Sequence, residues 1–324
     1  IVCPGVLLLG EVVMAPEKVV PYFGTVEKPE CHLLYNVTTM ASTWHTVATK
    51  DVSLLRRQLD IISELPRDYV FQNYLRCHDD IGWGLDYEYL ENFGIQEVPH
   101  KKYLNDFLTG KYPDSFARGE LYNDDPRLGD ARLCGTTASL CGIERFGFEG
   151  NQEGVDRAVR YDITLHAFML SQSGIPVIYS GDEIGQVNDY SYKDDPEKSD
   201  DSRYLHRGKF DWKLAENRHD PATVQGKLFP VLDKLEHIRS SHGIFNSNVP
   251  IHTIDTWDNS ILAFVRENDE EKFIGIYNFS ENDKVAWINE EDGMYTDLIS
   301  GREMEAKGVQ IPAFGCYWLC RNKQ

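Results

Sequence analysis

Six titratable residues stand directly after short apolar runs. Glu11 follows residues 5–9 and Gly10; His78, Asp79 and Asp80 follow the run 69–75; Asp182 and Glu183 follow 175–179. Two carboxylates facing one pocket are the usual equipment for glycosidic bond chemistry. One protonates the leaving oxygen and the other supports the positive charge that develops on the sugar. Taken singly, each carboxylate can instead cap a helix or accept backbone N–H groups. Spacing along the chain does not show that Glu11 and Asp79 converge, so both roles stay open at this point.

The elements that would position these groups follow a regular pattern. Residues 5–9, 33–37, 69–75 and 175–179 read as short, fully buried strands of a parallel sheet. Between them, residues 40–65 read as helical in pieces, ended by Pro66, and 155–172 as an amphipathic helix closed by Ser173-Gly174. Alternating strands and helices predict an α/β fold with a parallel sheet. In a β/α barrel, functional groups sit at the C-terminal ends of the strands, where these six residues lie. Residues 81–154 are irregular, rich in Gly, Asp and Asn, and too long for a connecting loop. They are read as an inserted subdomain. A further helix is expected over 225–240. After about residue 244 the chain carries short strands at 261–265, 272–277, 284–288 and 315–319, which read as an all-β domain. The expected division is 1–80, 81–154, 155–243 and 244–324.

Composition narrows the partners. The 324 residues carry 33 basic and 52 acidic side chains, a net charge of −19, which argues against a nucleic-acid backbone or an anionic membrane surface. No run reaches the roughly 18 apolar residues of a membrane span. Seven cysteines (Cys3, Cys31, Cys77, Cys134, Cys141, Cys316, Cys320) cannot all pair within the chain. Most lie in apolar stretches, which suggests a reducing, cytoplasmic setting. Cys316 and Cys320 lack C-x-x-C spacing, so no zinc site is expected there, and no cofactor is expected elsewhere. The opening stretch has no basic n-region and no small-residue cleavage site, so it does not read as a signal peptide.

Order and context add a resemblance. Gly10-Glu11 comes first, then Asn73-Tyr-Leu-Arg-Cys-His-Asp-Asp-Ile-Gly-Trp83 and Asp114-Ser-Phe-Ala-Arg-Gly119. Gly129-Asp-Ala-Arg132 with Gly135-Thr136 follows, then Ile175-Pro-Val-Ile-Tyr-Ser-Gly-Asp-Glu183 and Lys198-Ser-Asp-Asp-Ser-Arg-Tyr-Leu-His-Arg207. Together these resemble the α-amylase family of glycoside hydrolases (family 13), and within it the amylosucrase and sucrose hydrolase branch. The resemblance implies the second half of a (β/α)8 barrel with an inserted subdomain, followed by a C-terminal β-sandwich. It implies retaining glucosyl transfer from sucrose to an α-glucan acceptor, or hydrolysis of sucrose or another α-glucoside. Glu11 matches the acid/base and Asp79 the carboxylate that stabilises the transition state. His78, Asp80 and Arg132 match sugar-binding residues. Arg203 matches an arginine that closes a blind donor pocket by pairing with an aspartate of an earlier loop, which disfavours endo-amylase action. Arg207 reads either as a support for the residues that touch the sugar or as purely structural, and Arg118, Asp182 and Glu183 read as structural. Asn123 and Lys101 depart from the Gln and Arg of the polymerising relatives, which weakens the expectation of chain elongation.

The same resemblance implies a nucleophilic aspartate on the strand before the one bearing Glu11. That strand would precede Ile1. Asp130-Ala131 has a superficially similar context but falls in the insertion, after the Asp79 strand. The chain by itself is therefore expected to be inactive, with the N-terminal half of its own barrel as the partner that restores turnover and covers two open sheet edges. A relative that kept the fold and only binds carbohydrate is the alternative if the upstream nucleophile is absent.

Overall fold

The structure is a computed structural model that describes residues 3, 5–25, 27–125, 127, 130–288 and 292–323. Gly129 of the Gly-Asp-Ala-Arg motif lies outside them. The chain opens with β1 (Leu9–Gly10), α1 (Pro16–Val19), β2 (Leu33–Tyr35), α2 (Val37–Thr49), α3 (Ser53–Ser63) and β3 (Val70–Asn73). Next come α4 (Tyr87–Glu91), α5 (Glu97–Leu108), the hairpin β4 (Glu120–Tyr122) and β5 (Arg132–Cys134), α6 (Thr137–Cys141), α7 (Ile143–Phe148) and α8 (Gln152–Ser171). β6 (Ile175–Pro176), α9 (Trp212–Ala215) and α10 (Val224–Ser241) complete the helical part. Eight strands follow: β7 (His252–Ile254), β8 (Ile261–Glu267), β9 (Glu271–Asn278), β10 (Lys284–Ala286), β11 (Met294–Asp297), β12 (Glu303–Glu305), β13 (Val309–Ile311) and β14 (Cys316–Asn322).

The parallel sheet has the order β1-β2-β3-β6, with Leu9 opposite Leu33, Leu34 opposite Phe71, and Gln72 opposite Ile175. Helical crossovers link its strands, as in part of a (β/α)8 barrel. Two strands are shorter than the apolar runs suggest. β1 pairs over Leu9–Gly10 only. In β6, Pro176 has no N–H to donate, and the ladder resumes only through Val177 N–H to the Asn73 carbonyl at 2.8 Å. Two glycines are sterically required. A Cβ on Gly10 would lie 2.6 Å from Leu34 Cδ2, and one on Gly174 (φ +112°) would lie 2.3 Å from the Phe71 carbonyl oxygen. Residues 81–154 are more regular than their composition suggests, with four helices and a hairpin. Pro99 falls within the first turn of α5, where a missing N–H costs no intrahelical bond.

The C-terminal strands form a six-stranded antiparallel sheet, β12-β11-β14-β9-β8-β7, with the ribbon β10–β13 beside it. Strand alternation divides its side chains. Leu262, Phe264, Phe273, Tyr277 and Trp318 join the large core that also holds Trp44, Leu55, Leu104, Phe168 and Leu232 from the helices. Ala263, Val265, Ile274, Ile276 and Leu319 pack on Ala286, Ile288, Val309 and Ile311 of the ribbon side. The sheet is thus covered by helices on one face and by a ribbon on the other. The parallel sheet is not covered equally: Val6, Leu7, Leu8 and Val13 around β1, and Ile175 and Val177 at β6, are exposed. Exposed apolar side chains thus lie at both edges of this sheet.

Lys50 pins the junction of three regions. It caps α2 in the left-handed conformation (φ 61°), and its Nζ donates to the Val47 carbonyl at 2.7 Å. The ammonium lies 4.6 Å from the ring centre of Phe116, 5.1 Å from Tyr161, 5.2 Å from Phe314 and 5.5 Å from Phe107. Burial lowers its pKa to about 7, with Glu281 acting weakly in the other direction. Between that value and the ordinary lysine range the folded state holds fewer protons than the unfolded chain, so this group makes stability rise with pH across that window. Lys50→Met is expected to flatten that rise. The check is denaturant unfolding of both proteins at pH 7 and pH 9; equal slopes with pH would contradict the assignment.

Candidate active site

The segment after β3 turns across the C-terminal end of the parallel sheet and presents His78, Asp79 and Asp80. The hairpin holds it there. Ile81 and Leu133 exchange both backbone hydrogen bonds, at 2.8 and 2.9 Å, which docks β5 against the end of this segment. Leu133 is fully buried, so its neighbour Arg132 points the other way, toward the site. On the opposite side, the short 3-10 turn Ser202–His206 starts at Asp201, whose carboxylate accepts the Arg203 N–H at 3.0 Å. Leu205 and His206 are buried beneath it, and Ser202 Oγ donates to the Leu121 carbonyl at 3.0 Å.

These elements bring Glu11, His78 and Asp79 together. One side-chain donor atom from each lies within 4.8 Å of the others. The carboxylates that sequence spacing left unrelated therefore share one site. The trio also offers one nitrogen and two carboxylates to a cation. Asp80 and Arg132 pair at 3.5 Å beside the trio. Asp182 and Glu183 stand apart from it. Asp182 is buried under the site, and Glu183 accepts the Gly181 N–H at 2.8 Å.

Asp79 is gripped by two arginines. Its Oδ1 accepts from Arg203 Nη1 at 3.3 Å and from Arg207 Nη2 at 3.2 Å, while His78 Nε2 lies 3.8 Å from Oδ2. Arg207 also donates to the His78 carbonyl at 2.5 Å. Arg203 itself is oriented by Asp201, through two parallel hydrogen bonds of 2.8 Å, and stacks 4.6 Å from the Tyr122 ring centre. These hydrogen bonds hold the Asp201 carboxyl below its usual range. Among the described residues Arg203 meets the carboxylates of Asp201 and Asp79; the earlier-loop aspartate expected as its partner would precede Ile1. Arg207 touches Asp79 directly. Asp201 was not singled out from sequence. Its signal was the N-cap position in Asp201-Ser202-Arg203, one turn from Arg207.

The floor of the site is apolar and aromatic. Tyr35 and Tyr74 meet edge to face at 5.3 Å. Burial, and then the Glu11 carboxylate, raise the Tyr35 pKa. Burial pushes the Cys77 thiol up to about 11, so it stays neutral, and its sulfur accepts the Asp79 N–H at 3.4 Å. Below lies a buried ion pair: Arg76 Nε donates to Asp182 Oδ1 at 2.8 Å, and each side chain is only 2% exposed. Arg76 Nη1 also donates to the His206 carbonyl at 3.1 Å, and Thr137 Oγ1 donates to Asp182 Oδ2 at 3.0 Å. His206 accepts the Gly135 N–H on Nδ1, which places its proton on Nε2, toward the His78 carbonyl. Burial, then Arg76, lowers the His206 pKa to about 3, so it is neutral at physiological pH.

Parallel strands with helical crossovers, a carboxylate cluster at their C-terminal ends and an antiparallel sheet beyond are the architecture of part of a (β/α)8 barrel followed by a C-terminal β domain. No protein-family profile matches the chain. Glucosylglycerate phosphorylase of Escherichia coli K12 is 25% identical over 320 residues, which is 98% of this chain and 53% of that protein. Trehalose synthase of Thermus thermophilus is 27% identical over 183 residues, 56% of this chain and 15% of that protein. The chain thus spans about half the length of the phosphorylase. Among solved structures, AmyP with maltose covers 97% of this chain and is covered over 55% of its own length, with a TM-score of 0.61 and 14% identity. Sucrose 6F-phosphate phosphorylase from Thermoanaerobacter thermosaccharolyticum gives a TM-score of 0.61 at 18% identity, covering 94% of this chain and 51% of its own. At these identities the likeness to the solved structures is one of fold. No helix among the described residues is long and apolar enough to cross a membrane.

Proposed function

We propose that this chain carries the acid/base half of a retaining enzyme that hydrolyses or transfers the glucosyl group of a small α-glucoside. The observation that carries this reading is the convergence of Glu11, His78 and Asp79 at the C-terminal end of the parallel sheet. In the proposed mechanism Glu11 protonates the leaving oxygen and then removes a proton from the incoming acceptor. A general acid needs a carboxyl kept protonated by cover. Glu11 is exposed here, and a bound sugar ring would provide that cover. Asp79 faces the developing oxocarbenium charge, with Arg203 and Arg207 fixing its orientation. His78, Asp80 and Arg132 lie where sugar hydroxyls would bind. The nucleophile that retention requires belongs, in this reading, to a strand that adds to β1, and the exposed apolar side chains around β1 and β6 are the surface it covers.

Sucrose as donor and an α-glucan as acceptor form the finer reading, which rests on the His78-Asp-Asp-Ile-Gly-Trp83 and Lys198-to-Arg207 motifs. The relatives named above are two phosphorylases, a trehalose synthase and AmyP, solved with maltose, and they support the broader α-glucoside reading better. The test offers sucrose, trehalose and maltose to the protein with its N-terminal half restored, each with and without inorganic phosphate, and quantifies free glucose, fructose and glucose 1-phosphate. Fructose in excess of glucose supports transfer from sucrose, and equal amounts support hydrolysis. Glucose 1-phosphate would move the reading to a phosphorylase. Binding of these sugars with no product from any of them would leave only a carbohydrate-binding role.

A further inference from the structure

Far along the chain from the carboxylate site, three unlike donors meet where α10 ends against the C-terminal sheet. His242 follows the last turn of α10, Glu271 opens β9, and Cys320 lies on β14, which pairs with β9. His242 Nδ1 is 2.5 Å from Glu271 Oε1, Cys320 Sγ is 3.8 Å from the same oxygen, and one donor atom from each residue lies within 4.8 Å of the others. Glu271 and Cys320 are buried at 8% and 5% exposure, while the His242 side chain keeps 28%. The carboxylate is held in place: its Oε2 accepts the Ile244 N–H at 3.3 Å, and the Glu271 N–H donates to Asn268 Oδ1 at 2.7 Å.

We infer that His242, Glu271 and Cys320 form a zinc site, with water as the fourth ligand. The donor set selects the ion. Nitrogen, carboxylate and sulfur together suit zinc, whereas magnesium and calcium take oxygen. Zinc–ligand bonds of about 2.0–2.3 Å in a tetrahedron put donor atoms roughly 3.3–3.8 Å apart. The Cys320–Glu271 distance already matches. The His242–Glu271 contact must open by about 0.8 Å, and His242 is the partly exposed member of the three, outside the sheet. Its exposed side is also where a water ligand would enter. On binding, Cys320 coordinates as thiolate and its proton goes to solvent, while the imidazole turns the Nδ1 lone pair to the ion with its own proton on Nε2. The ion would tie the end of α10 to two central strands of the C-terminal sheet. The Cys316–Cys320 spacing gave no hint of this, because the other two ligands are distant in sequence.

Cobalt(II) is the probe. Titrated into the full chain under reducing conditions, it is expected to give one equivalent of a thiolate-to-cobalt charge-transfer band with intense visible bands of a four-coordinate ion, both displaced by zinc. Cys320→Ser removes the charge-transfer band, His242→Gln weakens zinc binding by about tenfold or more, and Cys316→Ser changes neither. If the wild-type chain shows no stoichiometric band and holds no zinc after dialysis, the three residues are only a hydrogen-bonded cluster and the inference fails. A band that survives in Cys320→Ser and disappears in Cys316→Ser would overturn it equally.

Discussion

Glu11→Gln is expected to lower turnover of the preferred α-glucoside by about 10²–10⁴-fold while leaving its binding within a few-fold. The amide keeps the size and one acceptor of the carboxyl but cannot give a proton to the leaving oxygen. The defect should depend on the leaving group. A substrate whose leaving group is a strong acid's anion needs no protonation, so its first step should recover most of the lost rate. The second step still lacks a base, and a small anionic nucleophile such as azide should restore it. Steady-state kinetics with a natural and an activated α-glucoside separate these steps. A uniform loss on both substrates, or a variant as active as the wild type, would remove Glu11 from the acid/base role. Asp79→Asn provides the contrast. It should slow both substrates alike, because charge stabilisation is needed whatever leaves.

Asp182→Ala should destabilise the fold by about 3–5 kcal/mol, the usual result of leaving one member of a buried pair without its partner. The Arg76 guanidinium would keep its hydrogen bond to the His206 carbonyl and its stacking on Tyr179, 4.5 Å from the ring centre, but would lose its counter-ion at a site 2% exposed. The other buried acid whose charge reaches Arg76, Asp162, lies 2.8 Å from His166 Nδ1 and would not replace Asp182 as a hydrogen-bonded partner. Arg76→Met combined with Asp182→Leu should recover most of the loss, because a well-packed apolar pair replaces an ion pair at little net cost. Denaturant midpoints of the two single variants and the double variant test this. If Asp182→Ala costs under about 1 kcal/mol, as for a surface pair, the pair does not carry the layer beneath the site.

The two expectations concern different kinds of residue, and they were not equally legible. Apolar runs ending in Gly10-Glu11, in the Asp79 segment and in Gly181-Asp182 identified the parallel strands and their order, because a strand buried on both faces must be written as a continuous apolar stretch. Short runs rich in β-branched and aromatic residues at 261–265, 272–277 and 315–319, separated by turn residues, likewise declared the C-terminal sheet. Strand ends were less legible. Pro176, which has no N–H to donate, interrupts one ladder, and how far a strand pairs depends on its neighbour.

By itself, then, the sequence determined the fold class and nominated Glu11, His78 and Asp79 as candidates, because residue type and strand-end position are written locally. Only the tertiary structure decided what those residues meet. It brought Glu11 to Asp79 across 68 positions of chain, set Arg203 on Asp201 and Asp79, and turned Arg207 onto Asp79. It also put Arg76 on Asp182 and gathered His242, Glu271 and Cys320. Side-chain pairing over such separations depends on how sheets and crossovers stack, and electrostatic partners carry no periodic signal that a single chain reveals.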